Sequence, residues 1–242
     1  MAIAFDGTAN ANQDSVSSIT FSHTVTSNTN GILIVGVAID STANRSVSGI
    51  TYNTIALTKV RSDDEPTTTL HSEVWYLLAP ATGAHNVVVT FPGTMDGAVC
   101  VSVSLTGVDQ STPVDAQAGS TSNVTVATDT VTVTTVADNS WVFDILCRNG
   151  AGGITATMVA HTNRTERANI ADNTDGFVGA ASTLGPKTPA GSTVMDWTNS
   201  SNRTYSMSAV SFDPAGAATP AFEDDSFYQF QPPSFDPIVS VW

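Results

Sequence analysis

Nucleophilic catalysis requires a Ser or Cys on a shaped turn, a histidine within hydrogen-bond reach and a carboxylate to orient it. None of the 4 histidines or 2 cysteines falls in such a pattern, and no G-x-S-x-G elbow occurs. His23 shares the parity of Ile19 and Phe21, His71 and His85 border apolar runs, and His161 follows Val159-Ala160. Each reads as a structural or surface residue. Cys100 and Cys147 sit inside strand-like segments, where a free thiol serves as a small apolar side chain. Glycoside hydrolysis needs two carboxylates facing each other across a cleft; Glu73 and Glu166 are the residues to nominate, but nothing in the sequence pairs them. Asp63-Asp64-Glu65 and Glu223-Asp224-Asp225 offer oxygen ligands that calcium accepts, yet without the alternating spacing of a dedicated loop. They read as solvated acidic loops. No enzyme, metal or cofactor is expected, nor any cleft in which Glu73, Glu166 or a histidine meets a second ionisable group. Trp75, Trp141 and Trp197 could form a sugar platform, but all three lie within strand patterns and read as core, leaving Tyr76 and Tyr205 to face outward.

The elements that would hold these residues are strands. Among 242 residues 41% are hydrophobic, enough for one large or two small cores, and the apolar set is dominated by Val, Ile and Ala beside abundant Thr and Ser, which favours pleated backbone. A formal charge of -14 leaves little basis for a phosphate-neutralising patch, so nucleic acid is not an expected partner. No apolar run is long enough to cross a bilayer, and MAIAFDGTANANQDS lacks the basic and apolar regions of a signal peptide. Cytoplasmic synthesis and no membrane association are therefore expected.

Alternation marks strands at Ile19–Val25, Ile32–Ile39, Ile50–Asn53, Ile55–Val60, Glu73–Leu78, Val87–Phe91 and Val99–Leu105. Ile32–Ile39 is apolar on both faces and is expected to be central. Asn53-Thr54 reads as a hairpin tip, Ser62 to Glu65 as an acidic loop, and Pro92-Gly93 as a turn. Past Thr106-Gly107 a Ser/Thr/Ala/Gly run leads to renewed alternation near Val124. The pattern then repeats. Val131 and Val133, Asp138-Asn139 and Ser140–Cys147 follow the order of Ile19–Ile39; Gly49-Ile50-Thr51 matches Gly153-Ile154-Thr155, Pro80 matches Pro186, Gly83 matches Gly191, and Ser102–Leu105 matches Ala209–Phe212. A shift of roughly 104 to 108 residues held in order implies an internal repeat. The expected fold is all-β: two tandem antiparallel β-sandwiches, jelly-roll or immunoglobulin-like in strand count, over residues 1–115 and 116–215, then an extended tail over 216–242.

ILIVGVAI, VSGITYNTIALTKV, EVWYLLAPATGAHNVVVTF and VSLTGVDQSTP, with VMDWTNSSNRTYSMSAVSFDPA in the second half, resemble a β-sandwich family found in phage structural proteins and in bacterial surface proteins. The resemblance spans about residues 16 to 215 and implies a structural role: a virion protein of a tailed phage, such as a capsid decoration, head-fibre or tail-associated subunit. Its expected partners are other virion subunits and further copies of itself. The alternative is a cell-surface adhesin or carbohydrate-binding module with a glycan as partner. The tail supplies the candidate partner-binding residues Phe222, Phe227, Tyr228, Phe230, Phe235 and Trp242, in a segment whose four prolines after Thr219 forbid a helix or a central strand.

Overall fold

A computed structural model describes residues 1–216 apart from 44–45, 68, 151–155 and 173–175, and apart from the side chains of 172 and 199–201. The described chain is all-β. The first sheet comprises β1 (Ala4–Val25), β2 (Ile32–Asp40), β3 (Gly49–Tyr52), β4 (Ile55–Ala56), β5 (Thr58–Asp64), β6 (Leu70–Leu78) and β7 (Gly83–Thr106). The second comprises β8 (Val114–Thr134), β9 (Ser140–Asn149), β10 (Thr157–Met158), β11 (Arg164–Asp172), β12 (Phe177–Lys187) and β13 (Ser192–Phe212). All pairing between these strands is antiparallel and stays within one sheet.

The first sheet runs β4-β3-β7-β2-β6-β5 with β1 on β7, and the second runs β10-β13-β9-β12-β11 with β8 on β13. The two orders coincide strand for strand, with β1, β2, β3, β5, β6 and β7 answering to β8 through β13; only the two-residue β4 lacks a counterpart among the described residues. Length explains how each sheet curls into a nearly closed barrel. The first part of β7 pairs with β3 and its last part with β2, while β1 follows β7 throughout and breaks register between Phe5 and Gly7 and between Val16 and Ser18. Such irregularities bend a strand and sharpen its twist, so one pair of strands lines both walls of a barrel.

Each barrel closes on its own apolar core: Ile19, Leu33, Val35, Val37, Tyr52 and Val89 in the first, Val133, Val142, Leu146, Met195, Trp197 and Met207 in the second. A third core lies between them. Ile34, Val74, Val99, Val101 and Val103 of the first sheet join Phe143, Ile145, Ala181, Val210 and Phe212 of the second in one buried cluster. This is why β2 is apolar on both faces, its odd-numbered residues Leu33 to Ile39 facing their own barrel while Ile34 and Ala38 face the neighbouring one. The Arg167 guanidinium adds a contact across the joint, 3.7 Å from the centre of the Phe5 ring.

The structure corrects the expected elements where a strand is polar. β1 begins at Ala4 rather than Ile19, and β8 at Val114 rather than near Val124; both extensions are edge strands held by backbone pairing to β7 and β13, which demands no apolar alternation. Pro92-Gly93 is no turn but part of the bend within β7, and Ser62 to Asp64 end β5 instead of forming a loop. The hairpin tip at Asn53-Thr54 is as expected, both residues taking positive φ (46° and 68°), as a two-residue turn joining twisted strands requires. Gly153-Ile154-Thr155 lies outside the described residues.

Candidate functional site: buried polar centres and the chain exit

Each barrel is fastened by one aspartate at the start of its first strand. The Asp6 carboxylate accepts from Thr26 N (3.0 Å), Ser27 N (3.2 Å) and Ser104 Oγ (2.7 Å), tying the opening of β1 to the turn beyond its end. Asp115 accepts from Val136 N (3.0 Å), Ala137 N (3.1 Å) and Ser211 Oγ (3.0 Å) in the same arrangement. Burial alone would raise the Asp6 carboxyl, but the bonds from Thr26, Ser104 and Ser27 outweigh it and hold the group below its ordinary value.

Glu73 does meet other ionisable groups, contrary to expectation. Its side chain is 0% exposed; Oε1 accepts from His71 Nε2 (2.9 Å), Lys59 Nζ (3.1 Å) and Val47 N (3.2 Å), and Oε2 from Trp75 Nε1 (2.7 Å). Burial, which raises the carboxyl, is outweighed by the hydrogen bond and charge of His71, the Val47 amide and Lys59, and the group stays below its ordinary value. Asp64 Oδ1 stands 3.5 Å from the other ring nitrogen of His71. The sequence hides this cluster because His71, Glu73 and Trp75 alternate as core residues do, while Lys59 comes from the neighbouring strand. Four donors converge on the carboxylate, which suits it to locking β5, β6 and the Val47 loop together. Glu166, by contrast, is exposed and bonded to Asn169.

Two further charged pairs fill the second barrel. Arg148 and Asp129, both 0% exposed, form an ion pair, and Arg148 also donates to Val126 O (2.9 Å). Burial pushes the Asp129 carboxyl up to about 6 against the pull of Arg148. Arg164 Nη2 meets Asp144 Oδ2 at 3.0 Å, its Nε donates to Ser182 Oγ, and its Nη1 reaches Asp196; Trp197 Nε1 donates to Asp144 Oδ2 at 2.9 Å. Burial raises the Asp144 carboxyl despite these partners. One signal was available for both aspartates: Asp129 shares the parity of Val131 and Val133, and Asp144 stands inside WVFDILC. Such a position calls for a buried partner, though nothing in the sequence names it. Besides the Glu73 cluster, the first barrel buries His23, 1% exposed between Ser102 Oγ (2.8 Å) and Ser104 Oγ (3.0 Å), which burial lowers to about 4.

Other sequence candidates are placed as follows. Trp75 and Trp197 are buried and Trp141 half-buried against the central core. Tyr76 is half-buried, but Tyr205 is buried, not outward, its hydroxyl bonded to Ser120 Oγ (2.8 Å) and Thr130 O (3.2 Å). Both cysteines are free and buried. Asp63 is engaged by Arg61 and Ser208, and Glu65 is buried and accepts from Thr67. Among the described residues no group of three His, Cys, Asp or Glu side chains is placed to hold a metal ion. Phe222, Phe227, Tyr228, Phe230, Phe235 and Trp242, with Glu223-Asp224-Asp225, lie outside the described residues. The chain reaches them from a defined point: Val108 bridges Pro214, Asp109 N donates to Asp213 O, Ala215 N donates to Gly107 O, and the Met1 amino group donates to Ala215 O. No protein-family model and no curated protein matches this chain.

Proposed function

We propose that the chain is a structural subunit of a tailed-phage particle, a capsid decoration, head-fibre or tail-associated protein that works by assembly, not catalysis. The observation that carries this reading is the pairing of a body joined through a continuous buried core with an aromatic, proline-rich segment that follows Gly216, next to the amino terminus. Aromatic side chains are costly to leave in water and favour burial. Six such anchors, Phe222 to Trp242, suit a segment that orders against a neighbouring subunit. The donor-saturated carboxylates of Glu73 and Asp144 suit a protein that keeps its charges for internal fastening.

In this reading each barrel-like sheet is a β-sandwich, one wall made of β2, β5, β6 and the last part of β7, the other of β3, β4 and the first part of β7, with β1 passing along both. The two sandwiches are tandem repeats over residues 1–115 and 116–215. The protein is made in the host cytoplasm, joins the virion, and meets other virion subunits and its own copies without binding nucleic acid or membrane. Deleting residues 220–242 tests the proposal: both barrels are expected to keep their far-ultraviolet signature and melting behaviour while incorporation into particles is lost. A truncated protein that assembles at full occupancy would overturn it, as would a glycan that binds the intact chain in place of any particle.

A further inference from the structure

The contacts between the two barrels come in reciprocal couples. Strand register fixes which residues correspond: Val103 pairs with Ile34, as Val210 does with Phe143, and Ile34 pairs with Tyr76, as Phe143 does with Thr183. On that correspondence Val99 answers to Ser206, Ser72 to Gly179, and Gly36 to Ile145. Across the joint Val99 packs on Gly179, and Ser72 shares a hydrogen bond with Ser206 at 2.9 Å. The second contact is the first with the barrels exchanged. Gly36 packs directly on Ile145, its own counterpart. The remaining strand contacts follow the same rule: β5 touches β8 as β11 touches β1, β6 touches β13 as β12 touches β7, and β2 crosses β9. Only a two-fold operation relating the barrels produces such a set.

We infer that residues 4–106 and 114–212 meet as an isologous pair, a two-fold interface contained in one chain, and that Gly36, Gly119 and Gly179 decide which barrel face fits which. A methyl group on Gly36 would lie 2.8 Å from Phe143 Cζ; one on Gly179 would enter the Val99 side chain, and one on Gly119 the Asp63 carboxylate. Each glycine answers to a larger residue in the other barrel: Gly36 to Ile145, Gly179 to Ser72, and Gly119, by its pairing with Ser208, to Asn10. Two copies of the first barrel would set Val99 against Ser72 and Asp63 against Asn10. Two copies of the second would set Phe143 against Ile145. The face therefore selects the unlike barrel, in its own chain or in a second copy.

The intact chain tests this through Val99 and Gly179. Gly179→Ser reproduces the like-with-like clash and is expected to lower the melting temperature, and Val99→Ser leaves a void and lowers it too. The double variant Val99→Ser/Gly179→Ser recreates the Ser72–Ser206 couple at the corresponding place, and it is expected to melt well above the value that adding the two single losses gives. A double variant whose loss equals or exceeds that sum would overturn the reciprocity. A Gly179→Ser chain that melts with the wild type would overturn the role of the glycine.

Discussion

At four interior positions where the first barrel places aliphatic side chains the second places two ion pairs, while the first barrel's own buried charge, Glu73 with His71 and Lys59, lies elsewhere. Ile39 opposite Ala98 corresponds to Arg148 opposite Tyr205, and Ile19 opposite Val89 to Asp129 opposite Trp197. Val35 corresponds to Asp144 in the same way, and the buried Leu57, one residue before Thr58 opposite Tyr76, to Arg164, one residue before Thr165 opposite Thr183. The same pairing scheme thus encloses either chemistry. Register and curvature are set by the backbone ladders, and the interior must only be filled to the right volume and left without an unpaired charge.

The sharpest way to break the comparison is to leave one charge alone. Arg148→Met, which strands Asp129, is expected to cost about 3–5 kcal/mol in urea unfolding, whereas Ile39→Met is expected to cost below about 1.5 kcal/mol. Equal losses would mean that the pair is more exposed than its burial indicates. Replacing the pair with the residues of the other barrel, Asp129→Ile with Arg148→Ile, is expected to leave stability unchanged or to raise it by about 1–4 kcal/mol, because a buried ion pair seldom outperforms well-packed hydrocarbon. A large loss in the double variant would show that the pair contributes more than filling.

The aspartate fasteners sharpen the likeness rather than the difference. Asp6→Asn and Asp115→Asn should each lower stability by about 1–3 kcal/mol, and by similar amounts, as measured by chemical unfolding. A ratio far from unity would separate the two fasteners.

Acidity acts with opposite signs in the two barrels, so the two contributions largely cancel and the net effect is the smallest. His23 is lowered from 6.5 to about 4 in the folded chain, so the unfolded chain binds the extra proton and stability falls as pH drops from about 6.5 towards 4. Asp129 is raised from 3.8 to about 6, so the folded chain binds the proton more readily and stability rises as pH drops through that window. His23→Val, which installs the residue of the corresponding Val133, should remove the first slope from the stability–pH curve; Asp129→Ile with Arg148→Ile should remove the second. Curves unchanged by either substitution would show that neither group carries the dependence.

How much of this could be read from the sequence depends on what each element faces. β2 was legible as central because burial on two faces leaves an uninterrupted apolar run, and β9 was legible as a strand by its match in order to β2. The early part of β1 and the stretch 114–123 were not, since an edge strand can be Ser-, Thr- and Asn-rich once its backbone is paired. Asp129 and Asp144 show their anomaly in parity with valine or within an apolar run, but Arg148 and Arg164 stand 19 and 20 residues further on, a distance that no local pattern spans. Equally invisible were Gly36 and Gly179, whose role exists only where two barrels touch.

The short ladder of Gly107–Asp109 against Asp213–Ala215 also has a mechanical consequence. Tension on the chain beyond Gly216 arrives at the seam between the barrels and pulls on only a few backbone bonds, whose rupture would be peeling and not shear. While that ladder holds, load reaches β13 through Phe212 and β7 through Gly107 together. Once it opens, the covalent chain carries the load into β13 of the second barrel alone.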